Sequence, residues 1–200
     1  LRALLLKPDP ALAAPASAHP DWQQTDLPAA GATWLALAAL RALGRTGGDI
    51  SYASGREPAP GYVLPWVPLR LDASGTVTAA EARLAKALDS ARTATGIAAD
   101  LALREPSLTA LAPSALAVTD GTAPLAGSVV TLGGNKLWHD AARMPAAEAA
   151  TLAARITRIL SEMAARPEAE LADLSPLSTS EAQVYQGALA ATARDYDRGL

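Results

Sequence analysis

Residues 136–178 read KLWHDAARMPAAEAATLAARITRILSEMAARPEAELADLSPLS. From about Pro145 to Ala165, the residues Leu152, Ile156, Ile159, Leu160 and Met163 recur at the spacing that stacks them on one face of a helix. Glu148, Arg155, Arg158 and Glu162 fall mostly elsewhere, as a solvated face requires. Pro145 suits the first helical turn, where its missing N–H costs nothing, and Pro167 ends the helix. Before it, KLWHDAARM follows Gly133-Gly134 and reads as a short strand.

Working outward, the upstream chain alternates the same two kinds of element. Trp34, Leu35, Leu37, Ala38 and Leu40 to Leu43 predict a short buried helix closed by Gly44. A strand is expected over Asp49–Ala53, and VLPWVPLRLD reads as extended because its two prolines forbid a central helix. Thr78-Ala79-Ala80-Glu81 has capping-box spacing and opens a helix with Leu84 and Leu88 on its buried face and Gly96 at its stop. Residues 97–112 allow only short helical turns around Pro106. Strands are expected at Ser114–Thr119 and Ser128–Leu132, joined through DGTAPLAG, whose Asp-Gly pair is a turn signal. Residues 8–32 read as a Pro/Ala-rich loop anchored by Trp22, preceded by a short apolar run that lacks the form of a signal peptide. Ser178-Thr179-Ser180-Glu181 is a second capping box, starting a helix to about Ala190. This order of elements implies an α/β class, with helices packed on an open mixed sheet.

Composition narrows the function. Half of the 200 residues are apolar and the formal net charge is −3, so a sizeable core is expected and a basic nucleic-acid face is not. With no cysteine, disulfides, thiolate chemistry and cysteine zinc sites are excluded. The two histidines, His19 and His139, lie far apart in sequence and give no metal-ligand spacing. Gly47-Gly48 and Gly133-Gly134 are too isolated for a phosphate loop and read as turns. Trp22, Trp34, Trp66 and Trp138 read as core anchors, since no basic residues interleave them. A cytoplasmic location is expected, with no membrane and no nucleic-acid partner.

The order of segments resembles the C-terminal lobe of the condensation domains of nonribosomal peptide synthetases. ATWLALAALRAL and GGDISYASGRE resemble the family's lobe-opening helix and following strand. In PGYVLPWVPLRLD, Gly61, Tyr62, Pro68, Leu69 and Arg70 match a family motif, although the usual Asn-Thr pair is replaced near Pro65-Trp66. The stretch quoted above resembles the closing strand, last helix and exit segment. ALAATARDYDRGL resembles the opening of an adenylation domain, without its usual Asn. The resemblance implies one lobe of a chloramphenicol acetyltransferase-like fold. It divides the chain into a 1–30 N-terminal extension, a 31–175 lobe and a 176–200 linker into an adenylation domain.

The family's catalytic His-His-x-x-x-Asp-Gly motif belongs to the other lobe and does not occur here. The one Asp-Gly, Asp120-Gly121, reads as a turn, and His139 beside Asp140 reads as packing rather than a catalytic dyad. No catalytic, cofactor or metal residue is therefore expected; phosphopantetheine would sit on a carrier domain elsewhere. The expected role is a truncated, non-catalytic condensation-like element at a chain-initiating module, supporting the adenylation domain in cis. Two alternatives stand: a module recruiting a carrier domain or helper protein, and a fragment of an intact amide-forming domain. The candidate interface residues are Tyr62, Leu64, Trp66, Arg194 and Tyr196.

Overall fold

A computed structural model describes residues 19–56, 59, 61–93, 97–105, 112–177 and 179–192. Six strands form one sheet: β1 (Trp22–Asp26), β2 (Gly47–Ala53), β3 (Val67–Asp72), β4 (Leu116–Thr119), β5 (Val130–Gly133) and β6 (Lys136–Asp140), in the spatial order β1-β6-β5-β4-β2-β3. The pairs β2/β4 and β4/β5 are parallel and the others antiparallel. Helices α1 (Ala32–Ala42), α2 (Val77–Thr93) and α4 (Ala146–Ala165) share one core with one face of this sheet. The single turn α3 (Leu101–Arg104) and the terminal α5 (Thr179–Thr192) complete the helices.

The two-residue period of the strands sorts their side chains. Ile50, Tyr52, Leu116, Val118, Val130, Leu132 and Leu137 face the helices and join the main core. Ala53 and Ala117 turn the other way, into a minor core with Trp66 and Leu125. On α4, Leu152, Ile156, Ile159, Leu160 and Met163 are all buried, as their spacing predicts. Pro145 is the residue just before the helix rather than in its first turn, and its carbonyl accepts the Glu148 and Ala149 N–H groups.

Three expectations need correction. Residues 8–32 are not all loop, because β1 lies within them. WQQTD carries too little apolar signal to announce a strand; its order comes from the ladder with β6, from Trp22↔Asp140 to Asp26↔Lys136, where the Lys136 ammonium meets the Asp26 carboxylate. The second concerns Asp120-Gly121, which does not close a hairpin: β4 and β5 run parallel. Residues 120–129 instead cross the sheet on the helix-free side, where Leu125 is buried against the minor core. The Ser128 hydroxyl bonds the Leu125 carbonyl, and the Leu125 N–H donates to Thr131 Oγ1 at 3.0 Å, so the crossover carries its own polar fastening. The hairpin joins β5 to β6 through Gly134-Asn135, with Gly134 at φ +57°.

The third correction is the Thr78 box. The N–H groups of Val77 and Thr78 donate to the carbonyls of Ala169 and Pro167, both at 3.0 Å, so the chain leaving α4 caps α2. Glu81 is then released to accept the Trp34 Nε1–H at 2.6 Å, tying α2 to α1. The expected stop at Gly96 and the turns around Pro106 lie outside the described residues.

Leu125→Ala removes the centre of the crossover's packing and should cost about 2–4 kcal/mol in urea unfolding. The tryptophan emission of the folded state should also shift to the red as Trp66 gains water.

Candidate functional site

In open α/β sheets, ligand sites gather beyond the carboxyl ends of the strands. Here that edge of the parallel pair β2/β4 holds a polar cluster. Tyr52 is the penultimate residue of β2, Asp120 follows β4 directly, and Arg92 comes from the last turn of α2. The Tyr52 hydroxyl donates to the Asp120 carboxylate. Arg92 reaches both oxygens of that carboxylate, Nε at 2.8 Å and Nη2 at 3.3 Å, while its Nη1 holds Asp89 at 2.8 Å. Its guanidinium carbon lies 5.9 Å from the Tyr52 ring centroid. Gly55 makes the approach of the two loops possible: it has φ +72°, and a Cβ there would stand 2.8 Å from Gly121 Cα.

The electrostatics describe a tie rather than a proton-transfer centre. Burial, then the hydrogen bond to Asp120, pushes the Tyr52 phenol up to about 12, so it donates at neutral pH and does not act as a base. Burial alone would raise the Asp120 carboxyl, but the bonds from Arg92 and Tyr52 outweigh it and hold it below the usual carboxylate value. Arg92, bonded to two carboxylates, is held charged. Sequence reading missed Tyr52 and Arg92 and saw Asp120 only as a turn residue. A phenol inside a buried strand, which must find a partner, was the available signal.

The residues singled out from sequence do not converge. Tyr62 is 80% exposed, Leu64 is half-buried between the two cores, and Trp66 is only 5% exposed. Trp66 packs with Leu125 in the minor core, as the core-anchor reading expected, so of the three only Tyr62 offers a largely exposed side chain. Tyr62 rides on a short ribbon in which the Leu64 N–H donates to Ile97 and the Ala99 N–H to Tyr62. Leu103, 87% exposed, follows on α3. Arg194 and Tyr196 lie outside the described residues. His139 is buried opposite Val130, whereas its neighbour Asp140 points to the other sheet face and accepts the Asp21 N–H. Both His139 ring nitrogens lack a partner, and no group of three or more potential metal ligands occurs among the described residues.

The second feature is a groove of about 890 Å³ on the helical side. Its walls are the Arg41–Gly44 end of α1, the Ala147, Thr151 and Arg155 face of α4, the Ser175–Leu177 strap and Tyr185 of α5. Leu43 and Tyr185, which line it, are exposed, as is Val184 beside Tyr185 on α5.

The two pKa directions set opposite pH limits for the polar tie. Tyr52, raised above its ordinary value of 10, contributes stability that is complete below pH 10 and lost as pH climbs towards 12. Asp120, lowered, contributes stability that is complete above the ordinary carboxylate range and lost as pH falls through its folded value. Spectrophotometric titration should show one late phenol that Tyr52→Phe abolishes, and that variant should lose about 1.5 kcal/mol at neutral pH. Asp120→Asn should flatten the acid limb of stability against pH.

No protein-family model matches the chain, and no curated protein does. Solved structures do. The starter condensation domain of rhizomide synthetase RzmA matches at 18% identity and TM-score 0.56, over 82% of this chain and 50% of that one. The X-domain in its complex with OxyB from teicoplanin biosynthesis matches at 18% identity and TM-score 0.58, over 85% of this chain and 51% of that one. The chain thus spans about half the length of the structures it matches. It carries one lobe of the chloramphenicol acetyltransferase-like condensation-domain fold, an open mixed sheet with packed helices.

Proposed function

We propose that this lobe is a non-catalytic, truncated condensation-like element of a nonribosomal peptide synthetase, at a chain-initiating module, and that it supports the adenylation domain following it in cis. The observation that carries this reading is the exit of the chain. Helix α5 leaves the body beside an open groove with Val184 and Tyr185 exposed, and Leu43 stands on the groove wall. Apolar side chains grouped at an exit point suit burial by a neighbouring domain. Residues 176–200 are then the linker, with Arg194 and Tyr196 in the opening phrase of the adenylation domain. The polar tie supports a non-catalytic role, since each of its members is already bonded to another. Phosphopantetheine belongs to a carrier domain elsewhere, and the setting is cytoplasmic; no described helix is long and apolar enough to cross a membrane.

Two other readings each have an observation in their favour. The X-domain neighbour was solved with a protein partner, OxyB, which favours a module that recruits a carrier domain or helper protein in trans, with Tyr62 as its exposed anchor. The half-length match favours a fragment of an intact amide-forming domain. The residues encoded before Leu1 separate the latter from truncation, because a His-His-x-x-x-Asp-Gly motif there restores catalysis.

Deleting residues 1–175 from the parent synthetase should lower the soluble yield and thermal stability of its adenylation domain. Unchanged yield and unchanged amino-acid activation would remove the supporting role.

A further inference from the structure

We propose that β1 is the contact edge of a symmetric dimer, in which a second copy of this chain pairs antiparallel through the same strand about a two-fold axis at Gln24. Among the described strands the sheet has two edges, β1 and β3. In an antiparallel pair, alternate residues turn both backbone groups towards the neighbour, and the residues between them turn theirs away. The Asp21 carbonyl accepts the Ala141 N–H, and the Leu27 N–H donates to the Asn135 carbonyl. In the register from Trp22↔Asp140 to Asp26↔Lys136, the odd-numbered residues of β1 therefore bond β6. Trp22, Gln24 and Asp26 turn their N–H and C=O groups to the open edge, where they have no partner among the described residues.

The other edge is protected. The Ala73 N–H donates to the Thr46 carbonyl, so the register Gly47↔Asp72 leaves Pro68, Arg70 and Asp72 facing outward on β3. Pro68 has no N–H to offer, two charged side chains follow on the same edge, and the Arg83 guanidinium reaches the Asp72 carbonyl at 3.4 Å. Proline and charge are the means by which sheet edges resist addition of a strand. On β1 the one outward charge is Asp26, and the Lys136 ammonium neutralises it within the same copy.

Register favours a second copy as the occupant. Turning β1 about Gln24 sets Gln24 against the partner's Gln24 and Trp22 against the partner's Asp26, so every outward N–H and C=O of the strand finds a mate. Pro20 and Pro28 flank the strand four residues either side of Gln24. Moving the axis to Gln23 would set Asp26 against the partner's Pro20, and moving it to Thr25 would set Trp22 against the partner's Pro28; neither proline has an N–H to give. The side chains agree with the Gln24 axis. Two glutamine amides meet there, each able to donate and accept, and no like charges stand directly opposite one another.

The pairing does not rest on the supporting role proposed above. A five-residue ladder is a small interface, so association should be weak and should grow with concentration. Sedimentation equilibrium of the 200-residue chain should give a mass near 20.4 kDa when dilute, rising towards twice that value as the concentration is raised to about a millimolar. Gln24→Glu puts two carboxylates across the axis and should weaken the dimer roughly fivefold. Isotope-labelled Gln24→Glu should form mixed dimers with unlabelled Gln24→Lys more readily than it forms its own, as read by native mass spectrometry. Gln24→Pro removes an outward N–H, keeps the bonds to β6, and should abolish the dimer. Far-UV circular dichroism checks the fold, and should Gln24→Pro fail to fold, the two charge variants read the same axis with the backbone unchanged. A chain that stays monomeric over the whole range, a dimer that Gln24→Glu leaves unchanged, or no preference for the mixed dimer would overturn the pairing.

Discussion

The architecture depends on a helix that has no solvent face. Leu35, Ala36, Leu37, Ala38, Ala39 and Leu40 of α1 are all fully buried, so this helix needs partners on every side. The sheet covers one side through β4 and β5, while α2 and α4 flank it. The Trp34–Glu81 bond fixes α2 against it, and the Arg41–Leu174 bond draws the segment after α4 across its end. Its three fully buried alanines, Ala36, Ala38 and Ala39, let these neighbours approach closely, and a larger side chain at any of them would have to displace one. Once α1 is enclosed in this way, the position of α4, the return of the 166–175 chain to cap α2, and the groove beside the α1 terminus follow from it.

What could be read from sequence was what burial writes into a pattern. The α4 stripe, the unbroken apolar run 34–40 of α1 and the β2, β4 and β6 segments each carry a pattern of burial. What could not be read depends on partners distant in sequence. WQQTD is a strand because β6 offers an edge, and Glu81 is a partner of Trp34 because the chain after α4 supplies the carbonyls that a capping box would otherwise replace. The Asp120-Gly121 error has the same origin. The local turn signal is real, but Tyr52 and Arg92 draw the Asp120 side chain to the end of the parallel strands, and Leu125 carries the connection over the far face. The exit helix was legible from its capping spacing, whereas the Tyr52–Arg92–Asp120 tie joins three segments with no shared pattern.

That tie bears on how the lobe meets its surroundings. It locks the end of α2 to the ends of β2 and β4, just before the chain passes towards the Tyr62–Ile97 ribbon. The ribbon is therefore presented from a fixed base, although its own contacts are few: the Leu64 and Ala99 backbone bonds and the packing of Leu64 and Ile97. Helix α5, by contrast, follows a segment held to the body by the Arg41 and Arg158 bonds to the Leu174 and Ser175 carbonyls.

The exposed apolar side chains divide along the same line. Tyr62 and Leu103 belong to the ribbon and α3, while Leu43, Val184 and Tyr185 belong to the groove and α5, and among the described residues none that lines the groove comes from the ribbon or from α3. A lobe that only supported a domain following it would need the second group and gain nothing from the first. A lobe that only faced a missing half, or a partner in trans, would need the first and gain nothing from the second. The presence of both favours a lobe with two neighbours, so support of an adenylation domain and recruitment through Tyr62 are compatible readings of one molecule.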